Sequence, residues 1–168
     1  MKRFNKTLIC ILLVALMLCV LASCDDKPQP KTLSDVIPEL GEHEVAVIIQ
    51  NGEGDYAVYV VDLVEDMDAT SSSLCSVLLT YLQNNKELYI DWSLSEYGRF
   101  INAIGGITPD TSKNEYVEVF TSNPDYQGTW AGVSTIEAGD ITLKSASVGV
   151  SIMHVRFGDV IYFELSSY

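Results

Sequence analysis

From Glu44 onward, apolar and polar positions come in short runs separated by turn chemistry. Glu44 to Gln50 is one β-rich, apolar run and Tyr56 to Val64 is a second. Between them, Asn51-Gly52-Glu53-Gly54-Asp55 supplies residues that accept positive φ, so the two runs predict a long hairpin. The period then changes. Leu74, Val77, Leu78, Tyr81 and Leu82 recur at three- and four-residue intervals, which predicts a helix over about 72–84 with one apolar stripe to lay on a sheet. Thr70 to Ser73 offer N-cap oxygens, and Asn84-Asn85 ends the helix. Cys75 sits beside the stripe and reads as a small packed hydrophobe. Period two returns in Leu88 to Trp92, in Arg99 to Ile104 before Gly105-Gly106, in Tyr116 to Thr121, and in a short run at Ile141 to Lys144. Ser151 to Phe157 and Asp159 to Leu165 are the last two runs, joined tightly at Gly158. In the final run Ile161, Phe163 and Leu165 share one face, and Tyr162 and Glu164 the other. One helix among many strands is an α+β pattern: a mixed or antiparallel sheet with a single helix packed on it.

The first 23 residues follow a different rule. Lys2, Arg3 and Lys6 precede an uncharged apolar run from Leu8 to Ala22. At about 15 residues that run is short for a membrane-spanning helix, which needs about 20. It has the form of a secretory signal peptide. The sequence Leu21-Ala22-Ser23-Cys24 resembles the lipobox of bacterial lipoproteins. The resemblance implies a diacylglyceryl group on the Cys24 thiol and cleavage before that residue. Long acyl chains such as palmitate would then anchor the chain at the extracytoplasmic face of the cell membrane, at about 0.8 kcal/mol per buried methylene. Proline and charge in Asp25 to Lys31 favour an extended, solvated segment. The expected organisation is a lipoprotein signal peptide at 1–23, a tether at 24–43 and one folded domain at 44–168.

Charge and cysteine content narrow the partners. The whole chain carries ten basic and 23 acidic residues, a formal charge of −13. Without residues 1–23 seven bases face the same 23 acids, a charge of −16 on 145 residues. Nucleic-acid binding rewards clustered Lys and Arg and is not expected. An anionic bilayer should likewise repel the domain's own surface. With Cys10 and Cys19 in the signal and Cys24 acylated, only Cys75 remains, so no internal disulfide is expected. No Cys/His cluster has metal-ligand spacing.

Candidate chemistry is sparse. Asp66-Met67-Asp68-Ala69-Thr70 has the shape of a haloacid-dehalogenase-type phosphatase loop, but the βαβ rhythm and the second acidic pair of such an enzyme are missing. The plainer reading is an acidic loop before a helix N-terminus. His43 falls in the tether and His154 in a strand between apolar neighbours, where it reads as half-buried. A Cys75–His154 nucleophile pair would need a third orienting group that the sequence does not offer. No Gly-x-Ser-x-Gly, no phosphate-cradling glycine loop and no EF-hand spacing occurs, and no cofactor is implied. Loop aromatics stand out more. Tyr97, Tyr126 and Trp130 lie in segments rich in Gly, Ser, Asn and Pro, where a ring either stacks on a ligand or partner, or folds back over the sheet.

The order of "LCSVLLTYLQNN", "YGRFINAIGGI", "EYVEVFTSNPDY" and "SASVGVSIMHVRFGDVIYFEL" resembles the transcobalamin C-terminal-like domain, a β-grasp-type module of bacterial surface lipoproteins. The likeness runs over Leu74 to Leu82, Tyr97 to Ile101, Tyr116 to Asn123, Ser147 to Val150 and Gly158-Asp159. It implies a β-grasp-like sheet with a closing Gly-Asp hairpin. It also implies a non-catalytic binding or interaction module, whose ligand is a corrinoid-like small molecule or a surface protein. Animal vitamin B12 carriers pair such a domain with a large helical one; this chain carries no such partner domain. The competing expectations are a structural or assembly factor of the cell envelope and, last, a small hydrolase at Asp66-Asp68.

Overall fold

Two runs of the chain are apolar on both faces, and the sheet is built around them. In the computed structural model, which describes residues 29–96 and 98–168, β1 (Glu44–Gly52) and β10 (Val160–Ser167) lie side by side and parallel. Val45 to Ile49 and Val160 to Phe163 are buried without a break. β2 (Asp55–Asp62) folds back on β1 across the Glu53-Gly54 turn, with a bulge between Gln50 and Gly52. β6 (Glu115–Thr121) runs antiparallel to β10, and β8 (Ile141–Ser145) and β7 (Thr135–Ala138) complete the order β2-β1-β10-β6-β8-β7. The sheet is therefore mixed. Two small ladders flank it: β3 (Ser72–Leu74) with β9 (His154–Arg156), and the hairpin β4 (Ile90–Ser95) with β5 (Gly98–Ile104).

The pleat sorts side chains into two cores. Val45, Val47, Ile49, Ile161 and Phe163 face a cluster closed by the helix α1 (Cys75–Asn85) through Cys75, Leu78, Leu79 and Leu82. Ala46, Ile48, Val160 and Tyr162 face the other way, onto Phe120, Leu143 and Leu33. Each fully buried Val, Ile, Leu or Phe contributes about 1.5–3 kcal/mol, so residues that take part on both faces make β1 and β10 the spine. The architecture is α+β with one packed helix among the described residues, as the periodicity predicts.

Strand β7 is not in the sequence reading, β9 is shorter than the expected Ser151 to Phe157, and three further differences shape the packing. The helix begins at Cys75, because Ser72 to Leu74 pair with β9 as a strand. Its cap is Leu74 and makes no side-chain bond. The first helical amides are satisfied from outside instead: Cys75 N–H donates to the Met153 carbonyl at 2.8 Å and Ser76 N–H to the Val150 carbonyl at 2.9 Å. The distant loop at Val150 to Met153 thus replaces the expected hydroxyl caps. Second, the turn at Gly158 (φ 84°) does not close a hairpin. β9 belongs to the ladder with β3, and β10 to the main sheet. Asp159 fixes this crossing: its Oδ2 accepts from Arg156 N–H at 2.8 Å and Asn123 Nδ2 at 2.9 Å, and its carbonyl accepts from Ala46 N–H at 3.0 Å. Burial, partly offset by these bonds, holds the Asp159 carboxyl above its ordinary range.

Third, residues expected to lie in a tether, from Leu33 to His43, pack onto the fold. Leu33–Asp35 form a 3₁₀ turn closed by Asp35 on Thr32, with Leu33 buried. Val36, Ile37 and Leu40 pack on the second core face. The spacing 33, 36, 37, 40 is itself helical, but Pro38 inside so short a run hides the signal. His43 also belongs to the folded part: its ring centroid lies 4.9 Å from that of Phe157, and its carbonyl accepts from Leu63 N–H. Leu33→Ala should lower the unfolding free energy by about 2 kcal/mol in urea denaturation; a solvated tether there would give no change.

Candidate functional site

A groove of about 590 Å³ runs between β5 and β6. Its making begins at Gly105-Gly106, where the chain leaves β5. Gly105 takes φ 56°, and Gly106 N–H donates to Asn51 Oδ1 at 2.7 Å, an approach that a Cβ on Gly106 would obstruct. The chain then crosses through Thr108, Pro109 and Thr111 into β6, and this crossing closes one end of the groove. Asp110 stabilises the crossing by accepting from Ser112 N–H and Oγ, bonds that hold its carboxyl below the usual range.

Buried Ile101 and Ala103 form the floor. Four aromatic rings stand around it: Tyr89 (60% exposed), Phe100 (57% exposed), Tyr116 and Tyr168. Tyr116 and Tyr168 stack at a tilt, with centroids 6.1 Å apart. Two carboxylates, Asp91 and Glu115, are the charged members of the lining. Asp91 Oδ2 accepts from Asn102 Nδ2 at 3.3 Å and Glu115 Oε2 from Asp110 N–H at 2.8 Å. Burial, and then the nearby Glu118 carboxylate, raise the Tyr116 phenol above its ordinary value, so it stays neutral. Exposed rings beside carboxylates on a rigid sheet suit recognition by stacking and by charge.

Beyond Tyr116, the second face of the sheet becomes polar. Glu118 and Glu164 lie directly opposite on β6 and β10. Ser166 Oγ donates to Glu118 Oε2 at 2.6 Å, and the Tyr162 hydroxyl bonds to Glu164 Oε2 at 2.9 Å and to Gln50 Oε1. Burial raises the Glu164 carboxyl above its ordinary value; the Tyr162 bond opposes this and the facing Glu118 adds to it. Among the described residues, no three His, Cys, Asp or Glu side chains converge to hold a metal ion.

Of the aromatics singled out by sequence, Tyr126 and Trp130 lie elsewhere. Cys24 and Tyr97 fall outside the described residues. Tyr126 ends a 3₁₀ turn (Pro124–Tyr126) and packs half-buried against the main core, its carbonyl bonded by Ser147 N–H and Oγ. Trp130 is half exposed, but its six-membered ring lies against Gly128, where a Cβ would come within 2.3 Å of the ring. Neither lines the groove. The groove residues Tyr89, Phe100, Tyr116 and Tyr168 belong to strands or strand ends, where periodicity assigns rings to a core. The one local signal is phase: Tyr89 alternates with Leu88 and Ile90, and Phe100 with Ile101, which puts both rings on the face away from the core.

The remaining candidates resolve into structure. Asp66 accepts from Asp62 N–H and from the Tyr81 hydroxyl at 2.9 Å, and Asp62 Oδ1 accepts from Val64 and Glu65 N–H. These carboxylates close the turn after β2 and pin it to α1. Leu74 stands opposite His154 in the β3–β9 ladder, so the chain does bring residues 75 and 154 close. The chemistry does not follow. Burial pushes the Cys75 thiol up to about 12, and His154 is exposed, not half-buried, because Val155 takes the inward position. A second, more open hollow of about 510 Å³ lies along α1 beside Arg99. There Arg99 bonds Thr80 Oγ1 at 2.9 Å and sits 5.4 Å from the Trp92 ring centroid, joining β5 to the helix.

No protein-family model matches the chain, and no curated protein matches it. Among solved structures, a protein of Ruminococcus gnavus ATCC 29149, named as a candidate metal-binding protein, is 18% identical with a TM-score of 0.50. The match covers 76% of this chain and 99% of that one. Haptocorrin in complex with Cbi is 15% identical with a TM-score of 0.48, over 79% of this chain and 27% of its own. The chain thus spans about a quarter of haptocorrin. At 18% identity the likeness to the Ruminococcus gnavus protein is one of fold.

The Glu164 carboxyl gives a pH test. Its raised value means the folded state favours the protonated form. That contribution is full below the ordinary glutamate value of about 4.3 and is lost as pH rises through the raised one. Glu164→Gln should therefore gain Tm relative to wild type between pH 4 and pH 7 in thermal unfolding, and a constant difference would remove the effect.

Proposed function

We propose that the chain is a lipid-anchored, extracytoplasmic binding module that works without catalysis. The β5–β6 groove is its ligand site, and the carrying observation is four aromatic rings and two carboxylates around a 590 Å³ hollow on a rigid sheet. The size suits a small-molecule or short-segment ligand. The lipobox-like Leu21 to Cys24 supports the anchor. The acidic surface supports a domain that stands off an anionic bilayer. Asp62 and Asp66 are engaged in a turn, and the Cys75 thiol is protonated in the core, which favours binding over hydrolysis. The ligand classes are a flat ring system of the corrinoid kind, as in the haptocorrin complex with Cbi, and a segment of a surface protein.

Two measurements test this reading. Cys24→Ser should move the protein from the membrane fraction to the soluble fraction, and mass spectrometry should find acyl chains on Cys24 of the wild type only. Phe100→Ala should weaken a bound ligand by about tenfold or more, as expected for a stacked ring, with Tm unchanged because the ring is largely outside the core. Cobinamide followed by absorbance is the first small-molecule probe. A chain that binds neither small molecules nor peptides would instead be a structural factor of the envelope.

A further inference from the structure

The groove touches Phe100, Ile101, Asn102 and Ala103 in succession on β5, and Glu115, Tyr116 and Val117 in succession on β6. Alternate residues of a strand face opposite sides of its sheet. A hollow that meets every residue in turn runs along a strand's edge, where main-chain amides and carbonyls point.

The hydrogen bonds identify which groups these are. β6 pairs with β10 over Glu115 to Thr121, but with β8 only at Phe120 and Thr121. On the side away from β10, Glu115 N–H donates to the Asp110 carbonyl and the Val119 carbonyl accepts from Ala146 N–H. Outward groups therefore belong to the odd-numbered residues. Val117 shares that phase, and its N–H and C=O have no partner among the described residues on the groove side. On β5, Arg99 N–H leaves the β4 side to meet Ser151 Oγ at 2.9 Å. Ile101 follows in the same phase and also presents its N–H and C=O outward, beside the bulge at Asn102. Two unfilled strand edges thus border one hollow, and such edges are templates for an added strand.

The lining also sets the charge of the occupant. Asp91 and Glu115 are its ionic groups, no Lys or Arg joins them, and the chain as a whole is strongly acidic. The surrounding rings attract ammonium and guanidinium groups as well. We propose that the groove takes an extended, basic peptide segment of a partner protein as an added strand, bonded through its main chain to Val117 and Ile101. This deepens the reading of the groove as a binding site and rests on it.

The test uses the folded chain and short capped peptides of alternating lysine and valine. Three comparisons accompany them: the same peptide N-methylated on alternate residues in either phase, the glutamate–valine counterpart, and cobinamide. The lysine peptide should bind. Losing main-chain donors or reversing charge should each weaken it by about tenfold or more. Amide hydrogen exchange at Val117 should slow by at least about tenfold in the complex. Val117→Pro should weaken the peptide comparably, since a proline whose missing N–H faces outward is tolerated at an edge. If that variant misfolds by circular dichroism, the N-methylated peptides decide alone. Equal binding of methylated and unmethylated peptides, or unchanged exchange at Val117, overturns the added strand. Phe100-dependent binding of cobinamide without peptide binding overturns it while leaving the binding module intact. Failure of every probe removes both.

Discussion

The parallel pairing of β1 with β10 is the constraint from which the rest of the molecule follows. Ala46 to Ile49 lie against Val160 to Phe163, and both runs are buried on both faces. A parallel pair needs a crossover, and here nearly everything from β2 to β9 is that crossover. Because the two central strands are apolar above and below, neither face of the sheet can be left bare. One is closed by α1 and the β4–β5 hairpin. The other is closed by residues 33–40, together with Phe120 and Leu143 from the sheet itself. A domain whose only described cysteine is free depends on this double burial for its stability.

The same constraint explains why polar main-chain groups do so much of the joining. The chain must leave β9 in one ladder and enter β10 in another within four residues. Asp159 makes that possible by collecting an amide from Arg156 and the side chain of Asn123. The start of α1 rests on the carbonyls of Val150 and Met153, so the helix boundary is set by a distant loop. Each joint is a point where local sequence alone would have permitted another path.

The groove is a by-product of how β5 and β6 meet. The hairpin is not part of the main sheet, and the chain leaves β5 for β6 through the turn at Gly105-Gly106, which Asn51 of β1 holds. The two strands are not paired with each other, which leaves Val117 and Ile101 facing a shared hollow with aromatic rings at its rim. Such a site needs no conserved-looking motif. It is made by two strands that fail to pair, and each of them alone reads as an ordinary strand.

Periodicity by itself was enough for the helix stripe at Leu78 and Leu82, the β1–β2 hairpin, the burial of Cys75 and the α+β class, because each depends on contacts within a few residues or on a repeat imposed by the backbone. Partners of high sequence separation were beyond its reach. Ser72 to Leu74 is a strand only because His154 to Arg156 lies beside it, and Gly158 is a crossing only because its N–H meets the Glu44 carbonyl and the Asp159 carbonyl meets Ala46 N–H. Leu33 is a core residue only because the second face of the sheet lacks cover. Tyr116 and Phe100 gained their place at a groove from the gap between β5 and β6, a distance that no local pattern encodes.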